Sequence, residues 1–326
     1  MLRGGRLFMA LSGAAGGGGR RLTSVDARPI ACLIYDFDKT LSPNNMQEYG
    51  FLKGLKIEPA RFWAECRQFA IENRMDGVLA YMYKMKEKAE GVMELSKDVF
   101  RRLGGSIEFF PGVVDWFDRI NAYGAGLGLR VEHYIISSGL MEIIEGTAIA
   151  SRFHEIFAAS YCYDDAGRPL WPSNAVNYTS KTQFLFRINK GILDVTNDND
   201  LNGFTPEDRR RVPFRNMIYV GDGLTDVPSM KLTRSKGGFS IAVHPPGDTR
   251  LVDDMLLQNR TDFALTADYS AGSELERVVQ AILRQIVAVD ECARLHARHL
   301  DGARRRVDAR EAKPVAYEGT WMGTRE

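Results

Sequence analysis

Two short apolar runs in this chain each end in a pair of carboxylates. Ile30-Ala31-Cys32-Leu33-Ile34-Tyr35 runs directly into Asp36-Phe37-Asp38-Lys39-Thr40-Leu41, and Met217-Ile218-Tyr219-Val220 into Gly221-Asp222-Gly223-Leu224-Thr225-Asp226. A bounded apolar run rich in β-branched and aromatic residues reads as a buried strand. Acids at the carboxyl end of such a strand stand where open α/β sheets bind their ligands. Carboxylates gathered from two strand ends repel one another unless a hard cation neutralises them. In the first pair, one acid can serve as nucleophile or metal ligand and the other as proton donor.

The intervening sequence sets the architecture. Ser42-Pro43-Asn44-Asn45 reads as a loop, and Met46 to Leu103 as helical, with Pro59 in a first turn and Gly104-Gly105 as a stop. No strand is predicted there, so the segment 43–106 is expected to be an all-helical cap inserted into the core. Apolar positions Val113, Val114, Phe117 and Ile120 mark a helix, Glu132 to Ile136 a strand, Leu140 to Ile149 a helix and Ile156 to Tyr163 a strand. Further strands are predicted over 239–243 and 262–265, and a closing amphipathic helix over Leu275 to Ile286 behind the capping-box pair Ser273 and Glu276. Strands alternating with helices predict an α/β fold with a doubly wound, mostly parallel sheet. The core is expected over 29–42 and 107–296, and a flexible, Arg-rich tail over 297–326. There is no internal repeat.

The motifs carry a resemblance. Asp36-x-Asp38-x-Thr40-Leu41 and Gly221-Asp222-Gly223-x-x-Asp226 resemble the first and fourth motifs of the haloacid dehalogenase superfamily, chiefly its phosphatases. Ser137, after Tyr134-Ile135-Ile136, resembles the second motif, and Lys181, in Tyr178-Thr179-Ser180-Lys181-Thr182-Gln183, the third. The likeness spans about residues 30 to 265, with the cap placed as in the phosphoserine phosphatase-like branch. It implies a Rossmann-like core and a Mg²⁺ ion held by Asp36, the backbone carbonyl of Asp38 and Asp222, with Asp226 supporting directly or through water. It implies Asp36 as nucleophile, Asp38 as the acid that protonates the leaving oxygen and later activates water, Ser137 on a phosphoryl oxygen, and Lys181 as the balancing charge. Thr40 would orient the loop. Lys39 stands where the superfamily often has Gly, a change that narrows or charges the entrance.

Each residue also has a plainer reading. Strand-end acids are common in solvated turns, and Asp226 can cap the helix expected from Val227. Four matches in the right order outweigh that reading. Ser138 competes with Ser137 for the phosphate, with Gly139 beside them, and Lys190 is the alternative to Lys181. Asn44, Asn45, Gln47 and Glu48, nearest the first hinge, are candidate leaving-group contacts, with ordinary capping and solvation weighed equally against that role. The cap cations Arg61, Arg67, Arg74, Lys84, Lys86 and Lys88 are mixed with Glu65, Glu72, Glu87 and Glu90, and read more readily as a solvated helix face. Asp198-Asn199-Asp200-Leu201-Asn202-Gly203 imitates half of a calcium loop, but Arg209 stands at the twelfth position and Pro206 interrupts it; Thr205-Pro206-Glu207-Asp208 reads instead as a helix start.

Composition narrows the function classes. The formal net charge of the 326 residues is +1, so nothing in the global charge favours nucleic acid. Cys32, Cys66, Cys162 and Cys292 lie far apart with no Cys-x-x-Cys pair, against a zinc knuckle or redox dithiol. No apolar run approaches the ~20 residues of a membrane helix. Residues 1–28 hold Arg3, Arg6, Arg20 and Arg21 and a small apolar patch, and read as a disordered tail ahead of the alternative, a targeting segment. The expectation is a cytoplasmic Mg²⁺-dependent hydrolase of a small phosphate monoester, with an organelle as the alternative location. A phosphotransferase or mutase using the same intermediate is the first rival, and a non-catalytic binding protein the second.

Overall fold

The computed structural model describes residues 28–311, apart from the side chain of Asp208. The expected tail over 1–28 therefore lies almost wholly outside the described residues, as does the end of the expected C-terminal tail.

The chain begins with β1 (Ile30–Tyr35) and then forms five helices, α1 (Met46–Tyr49), α2 (Phe51–Leu55), α3 (Pro59–Asn73), α4 (Gly77–Ala89) and α5 (Lys97–Gly104). It returns through α6 (Val113–Gly126), β2 (Arg130–Leu140), α7 (Met141–Glu145) and the hairpin β3 (Glu155–Tyr163) and β4 (Pro169–Asn174). After α8 (Ser180–Lys190) and α9 (Asp198–Asn202) come β5 (Met217–Gly221), α10 (Val227–Ser235), β6 (Phe239–His244), α11 (Arg250–Leu257), β7 (Phe263–Thr266) and α12 (Glu274–Glu311). The seven strands run in the order β4-β3-β2-β1-β5-β6-β7, and every neighbouring pair is parallel except β3 with β4. The chain works outward from β1 on one side, then restarts at β5 on the other. That reversal opens a crevice beyond the carboxyl ends of β1 and β5, where the two acidic motifs emerge.

Both faces of the sheet are buried, and the period-two alternation of the strands divides them. Ala31, Leu33 and Tyr35 enter one apolar cluster with Ile218 and Val220, while Cys32 and Ile34 enter the other with Met217 and Tyr219. The first cluster continues without a break into Phe51, Phe62, Met82, Met85 and Phe100 of the inserted helices. Tyr161 of β3 donates to the carbonyl of Met82 at 2.6 Å, and Lys86 to that of Leu170 at 2.7 Å, so the hairpin is fastened to α4.

Three elements differ from expectation. β4 was not predicted, because Pro169 and Pro172 break its pattern; as an antiparallel edge strand it tolerates them. The tail expected to be flexible from 297 is instead helical through Glu311, as part of α12. Its run of Arg, Ala and Leu lacks an apolar period facing the core, yet each is a strong helix former and no proline intervenes before Pro314. The helix expected from Thr205-Pro206 is a single 3-10 turn, Glu207–Arg209. The calcium-like segment forms α9, whose Asp198 accepts from the buried Arg187 at 2.7 Å.

A buried chain of hydrogen bonds beneath the first cluster makes stability pH-dependent. Trp116 Nε1 donates to the Tyr35 hydroxyl at 2.7 Å, Tyr35 meets His133 Nδ1 at 3.0 Å, and His133 Nε2 meets Asn121 Oδ1 at 3.1 Å. Those partners suit a neutral imidazole that accepts at Nδ1 and donates at Nε2. Burial pushes its pKa down to about 3, against a smaller upward pull from Glu132. The unfolded chain therefore binds this proton first as pH falls, and stability drops from about pH 6.5 downward. Between pH 7 and pH 5 the loss from His133 is about 2 kcal/mol. Urea unfolding at the two pH values should show that increment in the native protein and not in His133→Gln; an equal pH response in both would remove His133 as the cause.

Candidate active site

The first acidic motif folds into a tight loop because Phe37 turns the chain. Its carbonyl accepts from the amides of Thr40, Leu41 and Ser42, at 3.3, 2.9 and 3.3 Å. The Asp36 amide still belongs to the sheet, donating to Val220 O of β5 at 2.9 Å. This bond ties the end of β1 to the strand that carries the second motif. Asp36 Oδ1 accepts from the Phe37 amide at 2.7 Å, and Asp38 Oδ1 from the amide of Met46, the first residue of α1, at 2.8 Å.

Lys181, in the first turn of α8, is fully buried, with its ammonium 2.8 Å from Asp36 Oδ2 and 2.7 Å from Asp226 Oδ1. Asp226, also fully buried, accepts from the Tyr219 hydroxyl at 2.8 Å and from the Gly223 amide at 3.3 Å. Burial alone would lower the Lys181 pKa, but Asp226 and Asp36 outweigh it and hold the ammonium charged. One cation does not neutralise the site. Burial, with repulsion from Asp226, raises the Asp36 pKa against the pull of Lys181. Burial raises that of Asp222, with Asp226 and Asp36 adding to it, and burial raises that of Asp38, with Asp36 adding. Asp36, Asp222 and Asp226 each offer a carboxylate oxygen, all within 4.8 Å of one another. A cluster of oxygen donors short of positive charge fits a hard divalent cation.

Ser137 lies inside β2, which runs on to Leu140 past a register break after Ile136. Its buried Oγ accepts from the Gly139 amide at 3.0 Å, leaving the hydroxyl hydrogen free to donate. Ser138 is half-buried and engages through its carbonyl, which accepts from Tyr81 of α4 at 2.7 Å. Gly139 packs so closely under Met46 that a Cβ there would stand 2.0 Å from the Met46 terminal methyl and 3.2 Å from Asp38 Oδ2. Thr40 is buried with its carbonyl accepting from Tyr269 at 2.8 Å and its Oγ1 without a partner. Lys190 points elsewhere, clamping the carbonyls of Leu201 and Gly203 at 2.5 and 2.6 Å.

Of the four hinge candidates, Asn45 and Glu48 bond to each other at 2.5 Å, and Trp63 Nε1 donates to the same Glu48 oxygen at 2.9 Å. Gln47 is buried with Oε1 unpartnered, and Asn44 is exposed beside Tyr49. A cleft of about 520 Å³ is lined by Lys39 and Asn45 together with Trp63, Cys66, Arg67, Ala70 and Gly77. Trp63, Cys66, Arg67 and Ala70 recur at helical spacing, so one face of α3 forms its wall. The sequence reading missed Tyr219 and Trp63. Tyr219 read as a core strand residue, and only its place two residues before Gly221 linked it to the acids.

Close packing under Asp226 gives a local test. A Cβ on Gly221 would stand 2.5 Å from Asp226 Cγ and Oδ2. The short Asp side chain cannot swing away without releasing Lys181. Gly221→Ala is expected to lower stability by about 1–3 kcal/mol and kcat by at least ~10-fold. Denaturation and steady-state rates on the same preparation check this, and a variant with normal kcat would mean that Asp226 tolerates displacement.

No family model matches the chain. An uncharacterized protein of Borreliella burgdorferi is 26% identical over 274 residues, 76% of this chain and 94% of its own length. Similar solved structures include a HAD family hydrolase from Salmonella enterica serovar Typhi, at 16% identity and TM-score 0.48, covering 77% of this chain and 74% of that one. A substrate-bound phosphoserine phosphatase matches at 14% identity and TM-score 0.44, over 73% and 93% of the two chains. A probable phosphoserine phosphatase from Vibrio cholerae matches at 11% and 0.48, over 81% and 69%. Among the described residues, no helix is long and apolar enough to cross a membrane.

Proposed function

We propose that this chain is a Mg²⁺-dependent phosphomonoester hydrolase that works through an aspartyl phosphate and acts on a small phosphorylated metabolite. The observation that carries the reading is the Lys181 ammonium buried between Asp36 and Asp226, at the strand-end crevice where Asp38 and Asp222 also gather. Structural ion pairs seldom bury one lysine among so many acids, because the surplus carboxylates destabilise the fold.

Asp36, Asp222 and the backbone carbonyl of Asp38 would hold the Mg²⁺, with Asp226 behind them. When bound, the ion supplies positive charge that lets an anionic phosphate approach an anionic nucleophile. Lys181 adds a fixed charge beside Asp36, and Ser137 donates to a phosphoryl oxygen. The Asp36 carboxylate bonds to phosphorus as the bond to the leaving oxygen breaks. Asp38, whose protonated form is favoured by burial and by the neighbouring Asp36, passes its proton to that oxygen. Water then attacks the acyl phosphate and returns a proton to Asp38, releasing phosphate and restoring Asp36.

The test is a panel of phosphorylated metabolites assayed in chelator and after adding Mg²⁺ or Ca²⁺. Turnover is expected to vanish in chelator, return with Mg²⁺ and stay low with Ca²⁺, whose looser shell misplaces the attack. Asp222→Ala should raise the Mg²⁺ concentration needed for half-maximal rate by at least ~10-fold. Full turnover in chelator, with no metal by elemental analysis, would overturn the metal site. Transfer of phosphate to an added alcohol in preference to water would identify a phosphotransferase.

A further inference from the structure

The strand that carries Ser137 loses its regular register just where the hydroxyl is needed. β2 pairs with β1 as far as Ile135, opposite Tyr35. On its other side Ile136 pairs with Phe157 and Leu140 with Ala159, so Ser137, Ser138 and Gly139 together face Ala158. Extra residues on one strand form a bulge, a device that re-aims side chains beside active sites. At the centre of this bulge is the peptide group that joins Ser138 to Gly139. Side chains engage both of its ends. Its N–H donates to Ser137 Oγ at 3.0 Å, and its carbonyl accepts from the Tyr81 hydroxyl at 2.7 Å.

A peptide group is planar, so a bond at the carbonyl also fixes where the N–H points. A carbonyl that accepts a hydrogen bond makes its own N–H a stronger donor. Gly139 does not hold the plane by itself, because a residue without Cβ turns about its backbone at little cost. Tyr81 is the fixed point. It lies in α4, is buried, and sets its ring edge-on to Trp63 with 6.0 Å between centroids. The next residue, Met82, is tied to β3 through the Tyr161 hydroxyl.

The geometry points to Tyr81 as a positioning residue for the reaction: through the peptide group between Ser138 and Gly139 it holds the Ser137 oxygen as an acceptor, and so turns the Ser137 hydrogen toward the phosphoryl group. The phosphoryl group is part of the phosphatase reading, on which this step rests. Without the Tyr81 bond the peptide plane turns, its N–H leaves Ser137, and the hydroxyl rotates among other partners. Donation by Ser137 gains strength as charge builds on the phosphoryl oxygens, so the loss falls on kcat and leaves KM nearly unchanged. A Tyr81 that merely satisfied a buried carbonyl would contribute to stability alone.

The experiment is a double-mutant cycle of Tyr81→Phe and Ser137→Ala, read in the turnover of para-nitrophenyl phosphate and in amide exchange. Phenylalanine keeps the ring and removes only the hydroxyl. Tyr81→Phe is expected to lower kcat by at least ~5-fold with KM within ~2-fold of native. In the Ser137→Ala background the same substitution should lower kcat by less than ~2-fold, because the group it positions is gone. Amide exchange followed by NMR reads the geometry without turnover. In Tyr81→Phe the Gly139 amide should accelerate by at least ~10-fold more than the Ile218 amide of β5, which reports the stability of the whole fold. Three results each overturn the positioning role: a Gly139 amide that accelerates no more than Ile218, an unchanged kcat in Tyr81→Phe, or losses in the cycle that simply add. If the native protein turns over neither this ester nor any phosphorylated metabolite, but Gly139 still responds to Tyr81→Phe, the phosphatase reading fails and the link from Tyr81 to Ser137 stands.

Discussion

Asp36→Asn is expected to cut turnover by at least ~10⁴-fold on every substrate, with little change in shape. The amide keeps the side chain's size but cannot displace a leaving group and be regenerated. Stability should move the other way. Burial, and then repulsion from Asp226, hold the Asp36 pKa above its unfolded value despite Lys181. An acid raised in this way favours folding below its unfolded pKa and loses that contribution as pH rises through the folded one. At neutral pH in chelator the ionised Asp36 therefore weakens the fold, and replacing it with Asn should stabilise the protein by about 1–3 kcal/mol. A misfolded variant would lose activity and melt early; loss of the nucleophile alone should give an inactive protein that melts late. Asp38→Asn should differ from it, because phosphate can still transfer to Asp36 when the leaving group needs no proton. Mass spectrometry after brief exposure to an aryl phosphate should find phosphate on Asp38→Asn and none on Asp36→Asn. Near-native turnover by Asp36→Asn would end the covalent mechanism.

Much of this arrangement was legible in the sequence, for physical reasons. β1 and β5 are buried on both faces, so they appear as unbroken apolar runs, and the acids that end them stand out by contrast. The cap was legible as helix because its apolar residues repeat at helical spacing and no strand-like run interrupts them. β4 was not, since an edge strand needs no apolar alternation and its prolines suggested a loop. The last turns of α12 were hidden for the opposite reason: helix propensity persists there after the core-facing stripe has ended near Ile286. Within the site, acids separated by fixed spacings could be read directly. Their partner Lys181 could be named only through the motif order of the resemblance, because it reaches Asp36 through the folding of 144 intervening residues, and a lysine without its neighbours is indistinguishable from a surface charge. That Arg67 lines the cleft beside Lys39 was hidden among five similar cap cations. Three of these, Arg61, Lys84 and Lys88, do pair on the helix surface, as the charge pattern suggests.

Lys181→Met should do double damage, to the reaction and to the fold. Lys181 is completely buried and bonds to Asp36 Oδ2 and Asp226 Oδ1 at 2.8 and 2.7 Å. Methionine fills nearly the same space but leaves two buried carboxylates facing each other with no counter-charge. Breaking a buried pair from one side costs about 3–5 kcal/mol, mostly the penalty of the abandoned charge. In the proposed reaction the lysine also balances the negative charge that builds on the phosphoryl group, so turnover should fall by at least ~10³-fold even when the folded fraction is accounted for. The two effects separate in the double variant Lys181→Met/Asp226→Asn. Removing the Asp226 charge relieves the repulsion, and stability should recover by at least ~2 kcal/mol, a coupling that denaturant titration of the four proteins in the cycle would measure. Activity should not recover, because the charge beside Asp36 is still missing. Lys181→Arg is no substitute, since the larger guanidinium cannot enter a site with no exposed surface without displacing Asp226. If the double variant regained both stability and turnover, the lysine would be a structural brace for Asp226 and the positive charge at the phosphoryl group would have to come from elsewhere. If it regained stability alone, Lys181 would hold the acids together and also balance charge in the reaction.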